Sequence, residues 1–176
     1  MKKFLLFILS SVLVFAATVY YRLGAYKDVT ITYQSYPELH LLYKEHHGPY
    51  HKINDVIVDV EAWASAHNIS CTKTFGEYID DPRTVEERRL RSNGGCILDS
   101  AFETNDQYKY KHIDTQKYVL AKFDGAPSIS PFKVYPKVEN FIKENNLVQV
   151  GTTIEVYSIL NERTAHTEYL FPVREK

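Results

Sequence analysis

The chain is poor in cysteine, in charge of one sign and in metal-binding spacings. Only Cys71 and Cys96 occur among 176 residues. Two cysteines cannot form a zinc framework alone. The sequence leaves open whether they pair in an oxidising compartment or serve as small packing residues in a reducing one. Lys and Arg number 21 against 22 Asp and Glu, a net charge of −1, and the basic residues do not gather into a stripe. That excludes nucleic acid from the expected partners. Neither Cys-x-x-Cys nor His-Glu-x-x-His is present, and no Ser-His-Asp or Cys-His arrangement stands out. No metal ligands, cofactor or catalytic residues are therefore expected.

What is present begins with aromatics, 14 Tyr and 9 Phe. Such residues suit half-buried sheets and pocket walls, where an apolar ring carries a polar tip. One segment, "KEHHGPYHKI" at 44–53, gathers His46, His47 and His51 beside Glu45. The spacing of His47 and His51 would place both on one helical face, as in some zinc sites. But Pro49 lies between them, and a proline pushes the preceding residue, here Gly48, out of the α region. Proline is welcome at the first helical position. The segment reads as a strand that ends, a hinge, and a helix that begins.

The N-terminus differs from the rest. After Lys2 and Lys3 no charge appears until Arg22, and the uncharged stretch Phe4–Tyr21 is 18 residues long. That is about enough to cross a bilayer. Tyr20, Tyr21 and Arg22 resemble an interfacial belt. A cleaved signal peptide is the rival reading, with Val14-Phe15-Ala16 as its best cleavage site. We expect a membrane anchor over 1–26 and a single domain over 27–176. The flanking charges leave the orientation open; for a bacterial source the domain is expected outside the cytoplasm.

Periodicity then predicts strands over 29–34 and 39–46 and a helix over 49–67. The positions Ile53, Val56, Ile57, Val60, Trp63 and Ala64 make that helix one-sided. Strands follow at 70–80 and 94–99, joined by a polar connection, then a loop over 100–107. Further strands are expected at 118–123, 152–160 and 166–173. Between the first two of these, after Pro127 and Pro131, comes a helix facing inward through Val134, Val138, Phe141 and Ile142.

The second half repeats the first at an offset of 78 residues. Pro49 meets Pro127, Val60 meets Val138, Trp63 meets Phe141, Asn68 meets Asn146 and Glu77 meets Glu155, with no gap. A period this long marks a duplicated module rather than a solenoid. The expected fold is α+β: two β-α-β-β units related by a pseudo-twofold axis, with an antiparallel sheet, helices on one side and a groove on the other. By alternation, Ile154 and Val156 suit the helix-covered face, and Glu155 with Tyr157 points to the open side. Glu77 shares a face with Phe75 and Ile79. A glutamate among rings on a groove floor can offset a ligand's positive charge while the rings grip its body.

The segments "HGPYHKINDVIVDVEAWASAHNI", "GEYIDDP" and "IEVYSIL…TEYLFPV" resemble the GyrI-like effector-binding domains, which are SOUL-related and occur in AraC- and MerR-type regulators. The resemblance covers about residues 29–175. It implies the duplicated fold, a ligand in the groove between copies, and a functional glutamate matching Glu155. It also implies a hinge matching Gly48, Pro49 and Tyr50. The N-terminal apolar segment, "YIDDP…V…LRSNGGCIL" and "KVYPKVENFIKENNL" look most similar to the membrane-anchored testis-expressed reticulophagy receptor-like group. The chain departs from that group by ending at Lys176, directly after the last strand, and it has no helix-turn-helix. Neither receptor-mediated autophagy nor transcriptional control is carried over. The expected function is small-molecule binding at a membrane, through Glu155, Tyr157, Tyr50, Trp63 and Glu77. The alternatives are a hydrolase of reactive small molecules that uses a groove glutamate, and an adaptor whose groove holds an unknown protein partner.

Overall fold

Strand β2 (Leu39–His47) stops where Gly48 turns to φ +120°, a backbone conformation open to glycine. The Gly48 amide donates to the Leu90 carbonyl at 2.8 Å, fixing the turn. Pro49 follows, a 3-10 turn spans Tyr50–Lys52, and α2 runs from Ile53 to Ala66. The histidine-rich segment is thus a strand end and a hinge. His46 contacts its own turn through the Pro49 carbonyl (3.2 Å), while His47 and His51 are exposed and do not converge with it.

This computed structural model describes residues 2–103, 107–159 and 164–176. The elements are α1 (Lys2–Arg22), β1 (Thr30–Tyr36), β2, α2, β3 (Lys73–Tyr78), β4 (Arg91–Leu98) and β5 (Lys109–Ile113). They continue with β6 (Gln116–Gly125), α3 (Ser130–Glu144), β7 (Leu147–Gln149), β8 (Thr153–Ile159) and β9 (Ala165–Glu175). The loop expected over 100–107 and the strand end expected at 160 fall partly on residues outside those described. Strands β5 and β7 were not expected from the sequence.

All strand pairs are antiparallel, in the order β1-β6-β9-β8-β3-β4-β2-β5, with β7 pairing β9 off this path. The order is that of a duplicated module with exchanged first strands. Strand β1 of the first half pairs β6 of the second, and β5 of the second half pairs β2 of the first. The two halves meet at β3 and β8, where Gly76 lies opposite Glu155.

Among the described residues, three clusters form the core. Val60 and Ala64 of α2 pack on Leu42, Cys96 and Leu98. Val134 and Val138 of α3 pack on Val119, Phe123, Tyr169 and Phe171. The opposite sheet face buries Leu41, Phe75, Leu120, Ile154, Val156 and Leu170 against one another with no helix involved. Both α2 and α3 end on an asparagine with positive φ, Asn68 at 57° and Asn146 at 53°. These are the only non-glycine residues with positive φ among those described, and they stand 78 positions apart, so the repeat is obeyed at the helix ends.

Cys71 and Cys96 form a disulfide with Cα atoms 5.2 Å apart, tying the entry of β3 to β4. None of the apolar stretch of α1 is buried; its mean hydropathy of 2.2 suits a membrane span and equally a signal sequence. Just beyond it the chain docks on the second half. The Ala126 amide donates to the Leu23 carbonyl (2.9 Å), and the Lys133 ammonium donates to the carbonyls of Ala25 (2.6 Å) and Lys27.

Candidate functional site

The first four residues of β8, Thr153 to Val156, are all buried. Ile154 and Val156 belong to the core of the helix-free face. Glu155 and Tyr157 therefore point to the face that carries α2 and α3, not to the open side as alternation suggested. Their contacts agree. The Tyr135 hydroxyl, on α3, donates to Glu155 Oε1 at 2.8 Å, and the Tyr157 hydroxyl donates to Oε2 at 3.0 Å. A third hydroxyl, that of Tyr78, lies 2.8 Å from Tyr157 Oη. Cross-strand pairing sets Tyr169 on one side of Glu155 and Gly76 on the other. A Cβ at Gly76 would come within 3.1–3.2 Å of Ile53 Cδ1 and of the Tyr78 and Tyr157 hydroxyls. Glycine there keeps space beside the carboxylate, under the line where the helices flank the sheet.

Glu155 is 6 % exposed, and its described partners are tyrosine hydroxyls, with no Lys or Arg among them. Burial raises its carboxyl from 4.5 to about 7, although the Tyr135 and Tyr157 hydrogen bonds act in the opposite direction. Burial and then the Glu155 charge push the phenols of Tyr78, Tyr135 and Tyr157 well above their usual range, so they remain neutral donors. The site is a desolvated acid in a ring of phenols, an environment that penalises a lone charge and favours a proton or a compensating cation.

The other expected residues divide. Tyr50 joins the site through Tyr78, edge to face at 4.8 Å, and its hydroxyl donates to the Asp80 carbonyl at 2.6 Å. Trp63 does not join. It stacks on Tyr108 at 4.4 Å and on His67 at 4.3 Å, within the cluster under α2. Glu77 lies on the opposite face of the sheet, where it accepts from Lys111 (2.7 Å), Thr152 (2.6 Å) and Asn93 (2.8 Å). Burial acts to raise its carboxyl, but these three hydrogen bonds prevail and leave it lowered. Glu77 borders a recess of about 410 Å³ whose lining includes Lys111, Tyr118, Ile154 and Pro172. A third buried carboxylate, Glu168, is paired with Lys122 at 2.7 Å and Lys73 at 3.3 Å. Burial opposes its ionisation, but the Lys122 and Tyr36 hydrogen bonds and the Lys73 charge bring it to about 2. Of these three acids, Glu155 alone lacks a cation.

Glu77 and Glu155, aligned without a gap in the sequence, thus occupy opposite faces. The offset of 78 holds for the helices and fails by an odd number of residues in the strands that follow, and a one-residue slip moves a side chain across the sheet. Tyr78, Tyr135 and Tyr169 were missed as site residues. Tyr78 and Tyr169 become visible only once the register is known; Tyr135 occupies the repeat position of Ile57, a core-facing place.

Residues 29–174 match the GyrI-like small molecule binding domain. The chain belongs to the GyrI-like family. No curated protein matches it, and the finer likeness to the reticulophagy receptor-like group is not supported. Among solved structures the GyrI-like chain is similar to the C-terminal domain of EcmrR. The TM-score is 0.69 at 17 % identity, covering 84 % of this chain and 99 % of that one. In the EcmrR–DNA complex the likeness, at 14 % identity and TM-score 0.69, covers 84 % of this chain and 58 % of EcmrR. The structure of SAV2435 bound to tetraphenylphosphonium is similar at TM-score 0.56 and 14 % identity, covering 82 % and 94 % of the two chains. A hydrolase from Listeria innocua, encoded by lin2189, is similar at TM-score 0.52 and 12 % identity over 82 % and 92 %. At these identities the likeness is one of fold. The GyrI-like domain is a small-molecule binding domain, and Glu155 with its tyrosines is its candidate site here.

Proposed function

We propose that this GyrI-like domain binds a small cationic, aromatic ligand over Glu155, held at a membrane by α1. The observation that carries the reading is a buried carboxylate whose described partners are all uncharged. A cation entering between α2 and α3 would supply the missing charge, and the faces of Tyr50, Tyr78, Tyr135 and Tyr157 would receive its body. The tyrosine hydroxyls close over Glu155, so binding requires these rings to part. Tetraphenylphosphonium, the ligand of a protein of the same fold, is the natural first probe. Trp63, within the α2 cluster, and Glu77, already neutralised by Lys111, are assigned no part in this site.

The test is titration of the chain in detergent with tetraphenylphosphonium and with neutral triphenylphosphine oxide. A charge-assisted contact is worth about 1.5–3 kcal/mol, so Glu155→Gln should weaken the cation about 10- to 100-fold and leave the neutral compound unaffected. Because a cation binds the ionised acid, its affinity should rise with pH up to about 7 and then level off. Equal losses for both compounds would refute the charge role, and unchanged binding of both would move the site elsewhere. A carboxyl poised at about 7 also suits a general base, which favours hydrolysis as the second reading. Turnover of an activated ester that disappears in Glu155→Gln would support it.

A further inference from the structure

Away from the tyrosine site, at the outer end of β2, alternation along two neighbouring strands brings a second set of polar side chains together. Glu38 and His40 are two residues apart in extended chain and share a face. His112 on β5 is the direct cross-strand partner of His40, with Tyr110 and Asp114 two residues to either side of it. The two imidazoles stack at 4.8 Å with planes 15° apart. Both turn Nε2 toward the same carboxylate: His112 Nε2 is 3.1 Å from Glu38 Oε2, and His40 Nε2 is 3.8 Å from Glu38 Oε1. One ligand atom from each residue lies within 4.8 Å of the others.

The remaining ring nitrogens each face a polar group, that of His40 within hydrogen-bond distance and that of His112 farther off. His40 Nδ1 lies 2.5 Å from the Tyr110 hydroxyl, and His112 Nδ1 lies 3.7 Å from Asp114 Oδ1. His112 stands between two carboxylates, Glu38 and Asp114, and Glu38 reaches toward the Nε2 atoms of both histidines. Partners on Nδ1 that orient the ring and leave Nε2 as the ligand are the usual outer arrangement of a metal-bound histidine.

We propose that Glu38, His40 and His112 form a binding site for a divalent transition-metal ion, Zn²⁺ in the first instance, bridging β2 and the edge strand β5. Metal–ligand distances of about 2.0–2.1 Å imply tetrahedral ligand–ligand edges of about 3.3 Å; the two Nε2 atoms approach different oxygens of Glu38, at 3.1 and 3.8 Å, and one ligand atom from each residue lies within 4.8 Å of the others, so the side chains must draw together around an ion. Glu38 is exposed and free to move in this way. Two imidazoles and one carboxylate are a recurrent Zn²⁺ ligand set that leaves a fourth position for water. The ion would fasten the outermost strand of the sheet, contributed by the second half, to the first half.

The test is Zn²⁺ titration of the chelator-stripped chain in detergent, with Co²⁺ absorption as a spectroscopic report. The expected result is one site tighter than about 10 µM and visible Co²⁺ bands of a tetrahedral site. His40→Ala and His112→Ala should each weaken binding about 100-fold or more, and Tyr110→Phe and Asp114→Asn about 10-fold. Substitution of His46 and His47, at the far end of β2, by Ala should change nothing. Melting without metal shows that each variant is folded, and added Zn²⁺ should raise the midpoint of the wild type but not of His112→Ala. Binding weaker than about 10 µM, binding that survives His112→Ala, or binding lost equally with His46→Ala would each overturn the proposal.

Discussion

Replacing Glu155 by Gln isolates the cost of keeping a carboxylate under the helices. The carboxyl rises from 4.5 to about 7 because it is buried without a cation. Below pH 4.5 it is protonated whether the chain is folded or not, and no stability depends on it. Between pH 4.5 and 7 the folded chain holds a proton that the unfolded chain releases, so stability falls as pH rises. Above 7 both states are ionised and the loss is complete, about 3 kcal/mol at 1.36 kcal/mol per pH unit. Glutamine keeps the shape and removes the titration, at a cost of about 1 kcal/mol for a less well matched pair of tyrosine hydrogen bonds. At pH 4.5 the variant should therefore be less stable than wild type by about 1 kcal/mol, and at pH 8 more stable by about 2 kcal/mol. For a domain of this size about 3 kcal/mol corresponds to roughly 6–12 °C in the melting midpoint. The assay is thermal melting in mild detergent, read by near-ultraviolet circular dichroism, for both proteins from pH 4.5 to 8. The histidines are shared and cancel in the difference. The acids held low, Glu168 at about 2 and Glu77 below its usual value, lose their contribution as pH falls below that window. A wild-type-minus-variant difference that stays constant across the range would refute the account.

Two further outcomes follow from other parts of the chain. Reduction of Cys71–Cys96, which closes a loop of 25 residues, should lower stability by about 3 kcal/mol by chain entropy; melting with and without dithiothreitol, beside a thiol titration of the unfolded protein, checks it. The chain should fractionate with membranes and resist alkaline extraction because Phe4–Tyr21 remains attached, and a mature N-terminus near Ala17 would disprove this.

The helices were legible because α2 and α3 each bury one side only, and the asparagines closing them lie one repeat apart. The faces of the central strand were not legible. Alternation assigns a face when one side is wet, but in β8 Ile154, Glu155 and Val156 are all buried, so the acid among them could have lain on either side. Strand β5, "KYKHI", was missed because its side chains are charged or half exposed, as an edge strand's can be. The Glu38–His40–His112 group was missed for another reason. Its members are 74 residues apart in sequence, and only the pairing of β2 with β5 unites them. Tyr50 lies beside the candidate site because the hinge is local; Trp63 packs in the α2 cluster instead, because its helical phase fits the core as well as a pocket wall.

The exchange of first strands governs how the chain can be made. Strand β1, next to α1 in the chain, has no partner until β6 has been synthesised, some 80 residues later. Through that interval it presents bare backbone edges close to where α1 leads into the domain. The first half cannot complete its own sheet, since its outermost strand comes from the second. Neither half is then a folding unit, and assembly depends on contacts distant in sequence, which form slowly. By the same logic, two fragments produced by cleavage in the connection between β4 and β5 would each carry a strand the other needs, and would find each other in solution to restore the sheet.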